Sequence, residues 1–215
     1  MKNFTRLKAN RYSRLTVIAF VTVLVFTMTA ATCGGKNKVE AQESGDNGGG
    51  GRTAAFFKVF ESGTYHMKAK MVTGGVEVLT EIYARGDRMA ATSTTQGITS
   101  RMVLRDNKTY MIVDATRMIM VMPLMSATEA GGVETNQMRF SSSGTARFDG
   151  RNLPYDEYTN PERVRVQYFV DGNRLAGIRT ISRDGTVDLI ITEFNQNVPN
   201  NVFNIPGGYH MMEMP

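Results

Sequence analysis

The 215-residue chain has no tryptophan, two histidines (His66 and His210), six prolines and one cysteine, Cys33. A single cysteine excludes an intrachain disulfide framework and any cysteine cluster of the zinc or iron–sulfur kind. Motifs that announce catalysis by their spacing are also missing. There is no GxSxG elbow, HExxH pair, phosphate loop or glycine-rich dinucleotide turn. Asp156 and Glu157 are adjacent, so on a strand they point to opposite faces and cannot form a facing acid–base pair. They read as solvated residues near a strand end. These absences predict a protein that is not an enzyme and needs no cofactor.

Excess charge is lacking too, once its location is considered. The formal net charge is +5, yet Lys2, Arg6, Lys8, Arg11 and Arg14 all lie in residues 1–32, which contain no Asp or Glu. Without these five, the remaining 20 basic residues equal the 20 acidic ones. The basicity belongs to a leader, and no nucleic-acid footprint is left.

The basic leader is followed by an uncharged apolar run, Leu15 to Ala31, and then by Ala30-Ala31-Thr32-Cys33. This is the order of a secretory signal peptide, predicted over residues 1–32. An uncleaved membrane anchor is the alternative, at the short edge of a bilayer span. Residues 30–34 resemble a bacterial lipoprotein lipobox, which implies that Cys33 is lipidated and becomes the first residue of the mature protein. Ala30 and Thr32 depart from the commonest residues at their positions. Ordinary cleavage nearby would instead leave an unpaired thiol in an oxidising compartment. Residues 33–52 then form a Gly-rich segment without apolar periodicity, predicted to be a flexible tether.

From residue 53 to 215 the governing signal is period-two alternation broken by turn residues. Gly63–Val72 places Tyr65, Met67, Ala69 and Met71 on one face, and Val76–Arg85 does the same with Val78 and Ile82. Gly74-Gly75, Gly86-Asp87, Gln96-Gly97 and Asp106-Asn107 punctuate a hairpin series. Arg85-Gly86-Asp87 spells an adhesion tripeptide but reads as one of these turns. Strand patterns resume at Gln137–Phe148, Asn152–Tyr158, Val164–Val170, Arg174–Ser182 and Thr186–Phe194. Phe56–Phe60 suggests a turn of helix, Leu124–Thr135 a short helix or lid, and the Pro-punctuated tail a segment docked across one end. The predicted fold is mainly β: a curved antiparallel meander of about ten strands forming an open half-barrel with little helix.

Methionine is the residue in excess, 15 in all. Met118, Met120 and Met122 alternate on one strand, and Met67, Met71, Met89, Met102 and Met111 fall on others. Thioethers can simply fill a β core, can form an adaptable apolar binding surface, or can ligate Cu(I). The candidate inward-facing, ligand-binding residues are Met67, Met71, Val78, Ile82, Met102, Leu104, Met118, Met120 and Met122. A metal would instead use His66, His210, Met211, Met212 and Met214.

The hairpin series, the run Asp106–Asp114 leading into Met118–Pro123, and the ending Val198–Pro206 resemble the LolA, LolB and LppX-like lipoprotein-localisation and lipid-carrier proteins. The resemblance covers Gly63 to Pro215. It implies an open, curved half-barrel with an apolar cavity for acyl chains, a partner that is a lipid or lipoprotein, and a location in the bacterial cell envelope. The membrane contact would be the lipid on Cys33, facing the periplasm or the cell surface. An envelope scaffold without a small ligand is the third reading.

Overall fold

The computed structural model describes residues 51–73, 76–123, 139–183 and 185–214. The leader, Cys33 and most of the tether lie outside these residues, as does the lid or helix expected at Leu124–Thr135. Among the described residues no helix is long and apolar enough to cross a membrane.

Twelve strands among the described residues form one curved sheet that does not close, in agreement with the half-barrel expected from alternation. They are β1 (Thr64–Thr73), β2 (Val76–Arg85), β3 (Arg88–Thr95), β4 (Ile98–Arg105), β5 (Lys108–Val113), β6 (Met118–Pro123), β7 (Arg139–Phe148), β8 (Arg151–Thr159), β9 (Arg165–Asp171), β10 (Arg174–Ser182), β11 (Gly185–Asn195) and β12 (His210–Glu213). Turn chemistry sets the hairpins. Asp106 and Asn107 both take positive φ (53° and 55°), as do Asp149 and Gly150 (47° and 76°), so both pairs make two-residue turns matched to strand twist.

The order across the sheet is β12-β6-β5-β4-β3-β2-β1-β11-β10-β9-β8-β7. The hairpin series therefore runs in two blocks, β1–β6 and β7–β11, which join where β1 pairs with β11. Alternation shows which residues share a face. It carries no information on this junction, because a β1–β11 contact pairs residues more than a hundred positions apart. Register shifts at Lys68/Ala69, Phe140/Ser142 and Leu175/Gly177 bend the sheet.

The one α-helix among the described residues, α1 (Ala54–Glu61), puts Phe56, Phe57, Val59 and Phe60 on one side. It ends where Gly63 takes φ +64°, a backbone that favours glycine. The helix packs on the face that carries one continuous core, from Met102 and Leu104 on β4 to Val166 on β9. A single cluster spanning so many strands marks this as the inner side of the curve. The outer side holds two separate clusters. One, around Val103, Ile112 and Ile119, is covered by the tail residues Val198 and Phe203; the other is built on Phe148, Leu153 and Phe169.

The tail does dock, and it does more. Arg85 hydrogen-bonds the Val198 carbonyl and the Asn200 side chain, and Arg88 lies 5.0 Å from the Phe203 ring. The chain crosses the outer face and adds β12 beside β6 in parallel. That makes it the one parallel pair among the described strands, and sequence reasoning did not anticipate it.

Candidate functional site

All nine inward-facing candidates lie on one face of the sheet. The register builds them into rows that run across the strands. One row reads Phe194, Met67, Ile82, Ala91, Met102, Met111, Met120 and Met212, each the direct partner of the next. On one flank, past a row with Ala69, Thr80 and Ser93, lie Leu189, Met71 and Val78, and directly beside it on the other flank run Tyr65, Ala84, Met89, Leu104, Thr109 and Met122. Met118 pairs with Val113 on one side and His210 on the other. With strands about 4.8 Å apart, the long row follows the curve for roughly 34 Å. Its character changes along the way. Met67, Met71, Val78 and Ile82 are at most 3% exposed, Met102 and Leu104 are buried, and Met118, Met120 and Met122 are only half-buried.

Met89 and Met111 complete this face and were not among the candidates. The signal that finds them is pairing with Leu104 and Met102, available only once register is fixed.

On the β8–β11 side, aromatic rings replace thioethers. Phe57 meets Tyr158 and Tyr168 edge-on at 5.0 Å each, and Phe60 meets Tyr65 and Phe194 at 5.2 and 5.0 Å. These tilted and T-shaped contacts fix ring positions. Burial pushes the Tyr168 phenol well above its ordinary value, so it stays neutral at physiological pH.

Asp156 is 1% exposed and Glu157 6%, which corrects the expectation that both are solvated. They do face opposite ways, and each is buried because it has partners. Asp156 accepts from the Thr53 backbone N–H (3.1 Å), the Thr53 hydroxyl (2.8 Å) and the Ser143 hydroxyl (2.7 Å). It thus clamps the residue that starts α1. Glu157 accepts from Gln167 at 2.8 Å and faces Arg165 at 3.7 Å. Neither is placed for acid–base work on a shared substrate.

The metal candidates do not form one group. His66 lies on β1, with five strands between it and β12, and faces the outer side, where it stacks on Tyr83 with ring centroids 4.3 Å apart. Its Nε2 meets Glu81 at 2.8 Å, and Lys68 bridges Glu81 and Glu193 at 3.5 and 2.9 Å. Partial burial raises the Glu81 carboxyl, but hydrogen bonds from Tyr83 and His66 and the Lys68 charge outweigh it and hold Glu81 below its ordinary value. Burial and the same hydrogen bond push the Tyr83 phenol up to about 12. His66 is thus a member of an outer-face polar network, apart from His210. Met211 also faces away from Met212, because they are neighbours on a strand. Among the described residues no group of three His, Cys, Asp or Glu could hold a metal ion.

A cavity of about 230 Å³ is lined by Asp149, Arg151, Arg174, Ala176, Ile190, Ile191 and Thr192. None of the nine candidates contributes to it.

No family model and no curated protein matches the chain. Among solved structures, it is similar to an uncharacterized conserved protein from Thermus thermophilus, at TM-score 0.52 and 12% identity, over 75% of this chain and 98% of that one. The likeness is one of fold. Weaker overlaps occur with MucB, solved in complex with MucA(peri) (TM-score 0.44, 14% identity, 75% and 61% covered), and with a provisionally assigned outer membrane lipoprotein-sorting protein domain from Vibrio parahaemolyticus (TM-score 0.34, 10% identity, 66% and 89% covered). At these identities and overlaps, neither carries a functional argument.

Proposed function

We propose that the protein is an envelope lipoprotein, anchored through Cys33, whose inner sheet face binds an acyl chain of a lipid or lipoprotein. The observation that carries this reading is the methionine row, which is continuous with the buried core at Met67 and runs out to half-buried thioethers at Met120. An apolar strip that is sealed at one end and accessible at the other is what a flexible hydrocarbon needs. Each CH2 moved out of water contributes about 0.8 kcal/mol, so a long chain binds without a polar anchor. Thioethers are unbranched and polarisable, so they adapt to chains of differing shape. No catalytic group is required of such a site.

The test is non-covalent lipid extracted from the purified full chain, together with titration by a fluorescent fatty acid. Met120→Asp should keep the fold, since the residue is half-buried, and should abolish uptake by placing a charge in the strip. A folded wild-type chain that carries no lipid and takes up no fatty acid overturns the reading. Anchoring is tested separately: Cys33→Ser should release the protein from membranes or leave its leader uncleaved.

A further inference from the structure

We propose that Met118 and Met120 on β6, with His210 and Met212 on β12, form a binding site for a soft monovalent cation, Cu(I) by the chemistry of its donors. The parallel register pairs His210 with Met118 and Met212 with Met120. Residues two apart on a strand share a face. The four therefore occupy the corners of a rectangle, about 4.8 Å across the strands and about 6.6 Å along them. Three methionines and one histidine thus stand at its corners on one face, with a fourth methionine, Met111, next in the row beside Met120.

The donor set selects the ion. Thioethers are soft ligands that suit Cu(I), while hard divalent cations seek carboxylate or carbonyl oxygens. The acidic residue of β12, Glu213, pairs with Val121, which packs in the outer cluster, and it faces Lys108 at 3.5 Å. It therefore stays on the other side from the four donors. Methionine has three rotatable side-chain bonds, so sulfurs at adjacent corners can close on one ion without moving the backbone.

Core packing does not account for the arrangement. Every residue of β12 is exposed, and Met212 is 43% exposed. Edge strands ordinarily carry Lys, Pro or other charge to discourage pairing, so exposed methionines are a poor choice for an edge. The structure nevertheless holds this strand in register. The His210 N–H donates to the Arg117 carbonyl at 2.9 Å and the Met214 N–H to the Val121 carbonyl at 2.9 Å. Just before the strand, the Tyr209 hydroxyl donates to Asp114 at 2.9 Å, and Arg117 sits 5.7 Å from the Tyr209 ring. A tail pinned at both ends presents His210 and Met212 to β6 in a fixed frame.

The test uses the full chain carrying Cys33→Ser, which removes the one thiol that would bind the same ions. Ag(I), a redox-inert stand-in, is titrated by calorimetry, and Cu(I) is titrated anaerobically against a chromophoric Cu(I) chelator. Spectra of chain with 13C-labelled methionine methyls are recorded in parallel. The expected result is one ion per chain, with the Met118, Met120 and Met212 methyls shifting and those of Met71 and Met211 unmoved. The double variant Met120→Leu/Met212→Leu, which conserves volume, should weaken binding at least tenfold, and His210→Asn should weaken it as well. If the double variant fails to fold, the pattern of methyl shifts decides alone. Absence of binding, binding indifferent to both variants, or shifts confined to Met211 and Met214 overturns the proposal.

Discussion

The two ends of the inner face are built from different materials. Around β8, β9, β11 and β1 the surface is aromatic, covered by α1, and clamped by a buried carboxylate through Thr53. Around β4, β5 and β6 the inward residues are methionine, leucine, isoleucine, valine, threonine and serine, with no aromatic ring, and the inward methionines of β6 are only half-buried. Aromatic pairs have directional preferences and few torsions, so they hold one geometry. Thioethers tolerate many geometries at similar energy. One end of the sheet is built to stay as it is, the other to accommodate.

The largest effect that tests this contrast is on stability. Phe60→Ala removes a buried ring with two aromatic neighbours and should cost about 3–5 kcal/mol in urea unfolding. Met120→Ala, at a half-buried position, should cost well under half of that. Equal losses would mean that the thioether end is packed as tightly as the aromatic end.

Asp156→Ala comes next. It removes the acceptor of the Thr53 N–H, leaves the Thr53 hydroxyl with Tyr158 alone at 3.2 Å, and should cost about 2–3 kcal/mol. Because the clamp holds the start of α1, the loss should concentrate there. Limited proteolysis within residues 53–61 should accelerate more than cleavage elsewhere. Uniform acceleration across the sheet would show that the clamp serves the whole fold and not the helix.

Much of this architecture was legible in the sequence, and the boundary of legibility has physical causes. Period-two alternation placed Met67, Ile82, Met102 and Met120 on one face because side chains on a strand must alternate. Turn chemistry placed the hairpins because few residues accept positive φ in succession. The β1–β11 junction was not legible, since pairing between distant segments leaves no local pattern. Asp156 was misread for a similar reason. A carboxylate on a strand reads as solvated unless the donors that bury it are known, and Thr53 lies 103 residues away. The tail carried a Pro-rich signal for docking, but nothing in HMME marks a parallel edge strand, which gains its register from Arg117 and Val121.

On the outer face, the network at His66 gives the contrast a pH dependence. Partial burial raises Glu81, but its hydrogen bonds and Lys68 hold it below 4.5; the Lys68 hydrogen bond does the same for exposed Glu193. A depressed carboxylate stabilises the fold above its unfolded value, and that stability is lost as pH falls through the folded value. Lys68 is shifted the other way, upward from 10.5, by its hydrogen bond to Glu193 and the Glu81 charge. Its contribution is present below 10.5 and fades as pH rises through the folded value. Lys68→Met should therefore lower the melting temperature slightly between pH 4.5 and pH 10.5, where the pairs contribute, and converge with wild type outside that window, so that both the acid and the alkaline limbs flatten. These groups are largely exposed, so the effect is small and shrinks with salt. A variant whose acid and alkaline limbs match wild type would show that the ion pairs do not contribute in solution.

The sharpest test of the accommodating end is read in binding and not in stability. Replacing Met102, Met111 and Met120 together by leucine conserves volume and apolar character, so unfolding should shift by less than about 1.5 kcal/mol per site. What changes is the number of shapes the row can take, because leucine is branched and has fewer torsions. If the thioethers are there for adaptability, wild type should bind straight and kinked acyl chains with similar affinity, and the triple variant should discriminate between them. Competition of saturated against cis-unsaturated fatty acids for one fluorescent probe measures this directly. A triple variant that binds both as wild type does would show that the thioethers are not there to adapt to acyl chains.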